Sequence, residues 1–216
     1  MLRSPSAHFD GELNMARQWS KGTWLMWSTM VVLAIGVSLY AWQFLSVGIE
    51  NALPQMAYHI PERLLPASVH FGIGGLVLLI GPFQFVPSLR LKFPIVHRWM
   101  GRVYVTGCIF SGIAGFILAS NTNAGPVARA GFSLLAIFWL STTIMAFLKA
   151  RNRDFVEHKK WMIRSYALTL AAITLRIYMP ITLGVFEMSY AFVYPIISFA
   201  CWVPNAIVAE WMVRRI

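Results

Sequence analysis

Residues 130–164 read AGFSLLAIFWLSTTIMAFL followed by KARNRDFVEHKKWMIR. The first segment carries no charged side chain, whereas the second holds Lys149, Arg151, Arg153, Lys159, Lys160 and Arg164. A helix crossing the ~30 Å hydrocarbon slab of a bilayer needs about 20 predominantly apolar residues. The first segment meets that requirement, and the second is a basic turn that delivers the chain into the next apolar run at Trp161.

The same reading, carried outward, finds six such stretches, at residues 23–45, 67–86, 99–119, 130–148, 161–183 and 191–213. In lipid every backbone polar group needs a partner within the protein, so each stretch is expected to be a helix. The alternating pattern of a membrane barrel is missing. Composition agrees. The 216 residues are 58% hydrophobic and 12% charged, with mean hydropathy +0.63, against about 45–50% and 25% in soluble domains. A water-soluble enzyme, a disulfide scaffold and a disordered chain are thereby excluded. The expected fold is all-α, an integral membrane bundle of six transmembrane helices. Residues 1–22 form a basic N-terminal arm and residues 23–216 the bundle. Residues 9–19 of the arm read as a short amphipathic segment. The longest connection, residues 46–66, is amphipathic and broken by Pro54 and Pro61, which suggests an interfacial helix.

Lys and Arg total 18 against 8 acidic residues, a net charge of +10. They fall on alternate connections: Arg90, Lys92, Arg98 and Arg102 after the second stretch, the 149–164 group after the fourth, and Arg214 and Arg215 at the end. The positive-inside rule then places both termini in the cytoplasm, with Trp19, Trp24, Trp99, Trp161 and Trp211 forming an aromatic belt at that edge. The basic excess thus reflects topology and not nucleic-acid binding, and the expected location is a bacterial inner membrane.

Intramembrane ionisable residues are costly and mark function or pairing. At 1.5 Å per residue, Arg176 lies ~24 Å beyond Lys160, in the outer leaflet. His70, near the outer start of the second stretch, falls at a similar depth. Arg176 would clamp a carboxylate, a haem propionate or a quinone carbonyl, or else snorkel outward or pair with Glu187. Haem b and quinone are the cofactors these residues suggest, with His70, His97, His158 and Arg176 as the candidate binding residues. Bis-histidine ligation would pair His97 with His158 inside and His59 with His70 outside. The alternative is that the histidines are interfacial or structural. Glu157-His158-Lys159-Lys160 also reads as a charged turn that caps a helix. Arg98, Arg102, Lys159, Lys160 and Arg164 are the residues expected to contact anionic lipid, and Glu210 is placed to neutralise one of the arginines. No metal-ligand spacing, nucleophile with attendant base, phosphate loop or dinucleotide fingerprint occurs.

His97-Arg-Trp-Met-Gly-Arg102-Val-Tyr104 and His158-Lys-Lys-Trp-Met-Ile-Arg164-Ser-Tyr166 echo one another at two helix starts. A duplicated hairpin would produce this string, as would the gathering of Trp and Arg at every cytoplasmic edge.

The strings HRWMGRVYV (97–105) and EHKKWMIRSYALTLAAITLRIYMP (157–180) resemble a bacterial family of membrane proteins of unknown function, over roughly residues 67–180. That resemblance implies His97, Arg102, His158, Arg164 and Arg176 as family hallmarks and supplies no activity. The arrangement is also distantly similar to six-helix cytochrome b561 proteins. Three functions are expected from these readings: a non-catalytic subunit of a larger respiratory or photosynthetic membrane complex, a haem- or quinone-linked electron-transfer protein, or a small-molecule transporter.

Overall fold

A computed structural model of the protein describes residues 19–52 and 62–216. The amphipathic segment read at residues 9–19 lies almost wholly outside these, as do His59 and most of the proposed interfacial helix. Ten α-helices follow in order: α1 Lys21–Trp42, α2 Phe44–Ala52, α3 Leu64–Gln84, α4 Pro87–Lys92, α5 Pro94–Ser120, α6 Gly125–Arg151, α7 Phe155–Thr169, α8 Ala171–Pro180, α9 Tyr190–Ala200 and α10 Val203–Val213. A π-helical turn, Ile181–Val185, extends α8. Among the described residues, six helical segments are long and apolar enough to cross a membrane: α1, α3, α5, α6, α7 with α8 and the π turn, and α9 with α10. The bundle is therefore all-helical with six spans. Each segment begins and ends within a few residues of the expected bounds, except that the third, fourth and fifth start five, five and six residues earlier (Pro94, Gly125 and Phe155 against residues 99, 130 and 161).

Local chemistry sets several helix starts. Ser20 caps α1, its hydroxyl accepting from the Thr23 N–H at 3.1 Å. Proline opens α4, α5, α6 and α10 in the first turn, where its missing N–H is no loss. At α7 the cap is Asp154, whose carboxylate accepts from the Glu157 N–H at 3.2 Å. The Glu157–Lys160 turn, read as the cap, instead supplies an ion pair of 2.8 Å within the first turn. The Glu157 N–H holds the Asp154 carboxyl below the usual carboxylate range, with Lys149 adding to the effect. Its contribution to folding is therefore present above the ordinary carboxylate pKa, about 4, and is lost as pH falls through the lowered folded value. Asp154→Ala should reproduce the acid effect at neutral pH, seen as faster amide exchange at Glu157, while Asp154→Asn preserves protection.

Helix α1 is attached to α3 by three hydrogen bonds onto backbone carbonyls: Trp27 to Pro82 at 3.1 Å, Ser38 to Gly75 at 2.8 Å and Trp42 to Gly72 at 2.8 Å. Small residues on α3 let these side chains reach its backbone, the usual basis of close packing in lipid. The centre of the bundle is a hydroxyl network. Tyr104, fully buried, bonds Ser165 at 3.1 Å and Thr169 at 2.9 Å. Thr143 bonds Ser165 at 2.7 Å, and Trp139 donates to Thr169 at 2.9 Å. This network joins α5, α6 and α7. Intramembrane hydrogen bonds are each worth about 0.6 kcal/mol and at most about 1.7. Tyr104→Phe breaks two of them, so thermal unfolding in detergent should show a loss of roughly 1–2 kcal/mol.

The fifth span is interrupted at Leu170. Before the break α7 packs along α6; beyond it α8 meets α1 and α9 instead. Thr169 and Thr174 both direct their hydroxyls to carbonyls four residues back, a substitution known to bend helices. The last span breaks at Cys201–Trp202, just before Pro204, where proline cannot continue a helix. Asn205 of α10 bonds Thr174 of α8 at 3.0 Å across the two breaks. The departure of α8 from α6 leaves space in the half of the bundle away from the basic turns.

Candidate functional site

That space is a cavity of about 650 Å³, within the roughly 300–1,000 Å³ range of ligand sites. It is bounded by α1, α3, α5, α6, the last turn of α7, α8 and α9. Glycine and alanine shape its wall on α3 and α5, where Gly74, Gly75, Gly112 and Gly115 face inward. A Cβ on Gly115 would come within 2.8 Å of the His70 ring, so glycine there makes room for the imidazole.

Two basic side chains among the described residues reach this cavity, His70 from α3 and Arg176 from α8. The His70 Nδ1 lies 2.9 Å from the Ser111 carbonyl. A carbonyl only accepts, so Nδ1 carries the proton and Nε2 is left as the acceptor of a neutral ring. The Ser111 hydroxyl in turn donates to the His70 carbonyl at 3.1 Å. Ser111 thus orients the imidazole from α5, a role that nothing in the linear sequence signals. Arg176 donates one N–H to the Ala172 carbonyl at 3.0 Å, and its guanidinium carbon sits 5.5 Å from the Tyr40 ring centre. Its Nε is buried with no hydrogen-bond partner. Among the described residues no carboxylate pairs with Arg176, and Glu187 is exposed. Arg176 is close enough to His70 for the two to interact electrostatically. The remaining wall is aromatic and apolar, with Trp139, Phe132 and the stacked pair Tyr190–Tyr194, whose centroids are 4.6 Å apart. Trp139 lies mid-span, far from the interfaces where tryptophan normally collects, and that position was a readable sign of a special environment.

The other candidate histidines lie elsewhere. His70 stands fourteen residues before Gln84, the end of α3, which puts it ~21 Å along the axis from the basic face. His97 and His158 open α5 and α7 at that basic face, within electrostatic range of each other. The His158 Nδ1 bonds the Ala146 carbonyl at 2.8 Å. The His97 Nδ1 and the Gln84 Nε2 are both buried without a partner. His70 and Arg176 therefore share one cavity, while His97 and His158 belong to a separate inner-edge cluster.

The basic side chains divide similarly. Arg164 forms a two-pronged ion pair with Glu210, at 2.5 and 3.0 Å, and Lys160 pairs with Glu157. Arg98, Arg102 and Lys159 are exposed at the same edge. The echoed motifs make the same contact, Arg102 over Trp99 at 4.7 Å and Arg164 over Trp161 at 4.5 Å. Arg215 over Trp211 at 3.5 Å does so outside the repeat. Trp–Arg stacking is thus common to this edge and is no mark of duplication. The two tyrosines of the echo also differ in role, because Tyr166 donates to the Leu78 carbonyl at 3.1 Å whereas Tyr104 serves the hydroxyl network.

Comparison with curated proteins and with solved structures returns no match, so the distant likeness to cytochrome b561 proteins gains no support. The family described as "predicted membrane protein (DUF2306)" matches residues 67–213. That interval runs from within α3 to the end of α10 and contains His70, Ser111, Trp139 and Arg176, leaving α1 outside. By this match, over more than half of its length, the chain belongs to the DUF2306 family of membrane proteins.

Proposed function

We propose that the chain is a quinone-binding membrane protein whose cavity receives the ligand ring between His70 and Arg176. The observation that carries this reading is Arg176, a cation brought into a largely apolar cavity with a buried Nε left unpaired. Leaving a buried donor unmatched is costly, and a carbonyl oxygen on a ligand would satisfy it. The His70 Nε2 complements that donor, because it would accept from the hydroxyl of the reduced ring. Trp139 and the Tyr190–Tyr194 stack offer flat surfaces to a ring. Haem has less behind it: among the described residues, which do not include His59, the cavity contributes one imidazole, and His97 and His158 lie outside it.

Purification in mild detergent followed by solvent extraction and chromatography is expected to yield bound quinone, depleted in His70→Ala. A Soret band lost in His70→Ala would replace quinone with haem. Quinone-free protein with no visible chromophore would remove both. Membership of a larger complex and solute transport have less behind them, since the exposed apolar side chains suit lipid equally well.

The alternation of basic turns supports placing both termini in the cytoplasm of a bacterium, with the cavity towards the outer leaflet. Alkaline phosphatase fused after Ile216 should therefore be inactive and green fluorescent protein at the same site bright; the reverse pattern would invert the topology.

A further inference from the structure

We infer that the cavity is entered from within the bilayer, through a slot between α1 and α8, and that its ligand carries a long hydrocarbon or isoprenoid tail. This deepens the quinone reading and rests on it for the identity of the head group. Helix α1 is the least buried of the six spans, and Trp27, Ser38 and Trp42 tie it to α3. Its opposite edge faces α8. There the two helices meet where Ala34 and Val37 of α1 and Ala172 and Ile173 of α8 pack with Leu78. Beyond that contact both helices contribute to the cavity wall, Gly36 and Tyr40 from α1, Arg176 and Pro180 from α8. Tyr40 is 44% exposed, so the same ring faces outward and lines the cavity. A Cβ on Gly36 would meet nothing within 4 Å, which makes this the open point of the slot.

Across the slot at this height the Arg176 guanidinium lies over the Tyr40 ring. It is a latch of modest strength that a head group able to accept from Arg176 would displace. A ring held at His70 and Arg176 would fill part of the cavity. A chain attached to it would run past Gly36 and Leu183 into lipid, where its burial needs no protein partner. A polar solute would gain nothing from such a route.

The test reconstitutes the full chain in phosphatidylcholine vesicles with a hexadecyl chain that bears a mid-chain diazirine and no polar head. After irradiation, labelling is mapped on α6. Its inner face carries Leu135 and Trp139, which line the cavity; its outer face carries Phe138, 47% exposed. The wild type should be labelled on both faces. In Gly36→Trp, labelling of Leu135 and Trp139 should fall about ten-fold or more, because interiors pack too densely to pass a chain around a filled gap. Phe138 should be labelled as before. Leu183→Trp, at a position that also lines the cavity, is the second plug should Gly36→Trp not fold. An unlabelled interior in the wild type, or interior labelling unchanged by a folded plug, overturns the proposal. The probe has no head group, so entry past Gly36 in a protein that retains no quinone would sink the quinone assignment and leave the route standing.

Discussion

Arg176→Met is expected to make the ligand-free protein harder to unfold while its retention of quinone falls to background. The two effects have one cause. A guanidinium costs about 2.5–3.5 kcal/mol at the centre of a membrane helix on insertion scales, and Arg176, towards the outer leaflet, bears part of that cost. In the empty protein it recovers part of this from the Ala172 carbonyl and the Tyr40 ring. A membrane hydrogen bond returns about 0.6 kcal/mol and a partly exposed cation–π contact about 0.5–1. The balance remains unfavourable by at most roughly 1–2 kcal/mol. Methionine fills a similar volume without the charge. The midpoint of thermal unfolding in detergent should therefore rise by about 2–8 °C for a chain of this size. Arg176→Lys keeps the charge and loses the planar fork, so it should gain no stability and still bind poorly. A lower midpoint for empty Arg176→Met would show that the guanidinium holds the bundle together, and the binding role would then lose its main support.

The six spans were legible because transmembrane helices obey a length and polarity rule that depends on composition alone. The breaks were legible only in part. Pro204 announced the interruption of the last span, but the fifth breaks at Leu170 in a run, Ala167-Leu-Thr-Leu-Ala-Ala-Ile-Thr174, with neither proline nor glycine. Threonine hydroxyls turned onto backbone carbonyls accompany that break, and whether a threonine does so depends on its neighbours. The depth of Arg176 and His70 could be counted in residues along the helices, so their common level could be read. What could not be read was rotation. Ser111 meets His70, and Tyr40 meets Arg176, because of how α5 and α1 turn about their own axes, and the hydrophobic pattern of a lipid-facing helix carries little phase information. The separation of the histidines into cavity and inner edge followed only when both helix direction and rotation were known.

Gly81→Ala should be the most damaging single-methyl addition in the bundle. A Cβ at Gly81 would fall on the Tyr166 ring, well inside van der Waals contact. That ring has nowhere to go: it is 3% exposed, its hydroxyl is bonded to the Leu78 carbonyl, and Phe85 and Tyr104 stand 5.6 and 6.4 Å away. Overpacking of this kind costs about 1–3 kcal/mol, a drop of roughly 2–12 °C in the unfolding midpoint. Gly36→Ala adds the same methyl to open space, so it should be neutral or slightly stabilising, since alanine forms helix more readily than glycine. The comparison separates steric collision from any general intolerance of alanine for glycine. Tyr166→Leu should relieve part of the Gly81→Ala penalty, giving a coupling of about 0.5–3 kcal/mol in a double-mutant cycle; additive losses would mean that the two positions do not touch. Because Tyr166 precedes the Leu170 break by one turn, the collision should also displace Thr169 from Tyr104 and Trp139. Quinone retention should then fall with stability in Gly81→Ala, in contrast to the opposite movements expected of Arg176→Met.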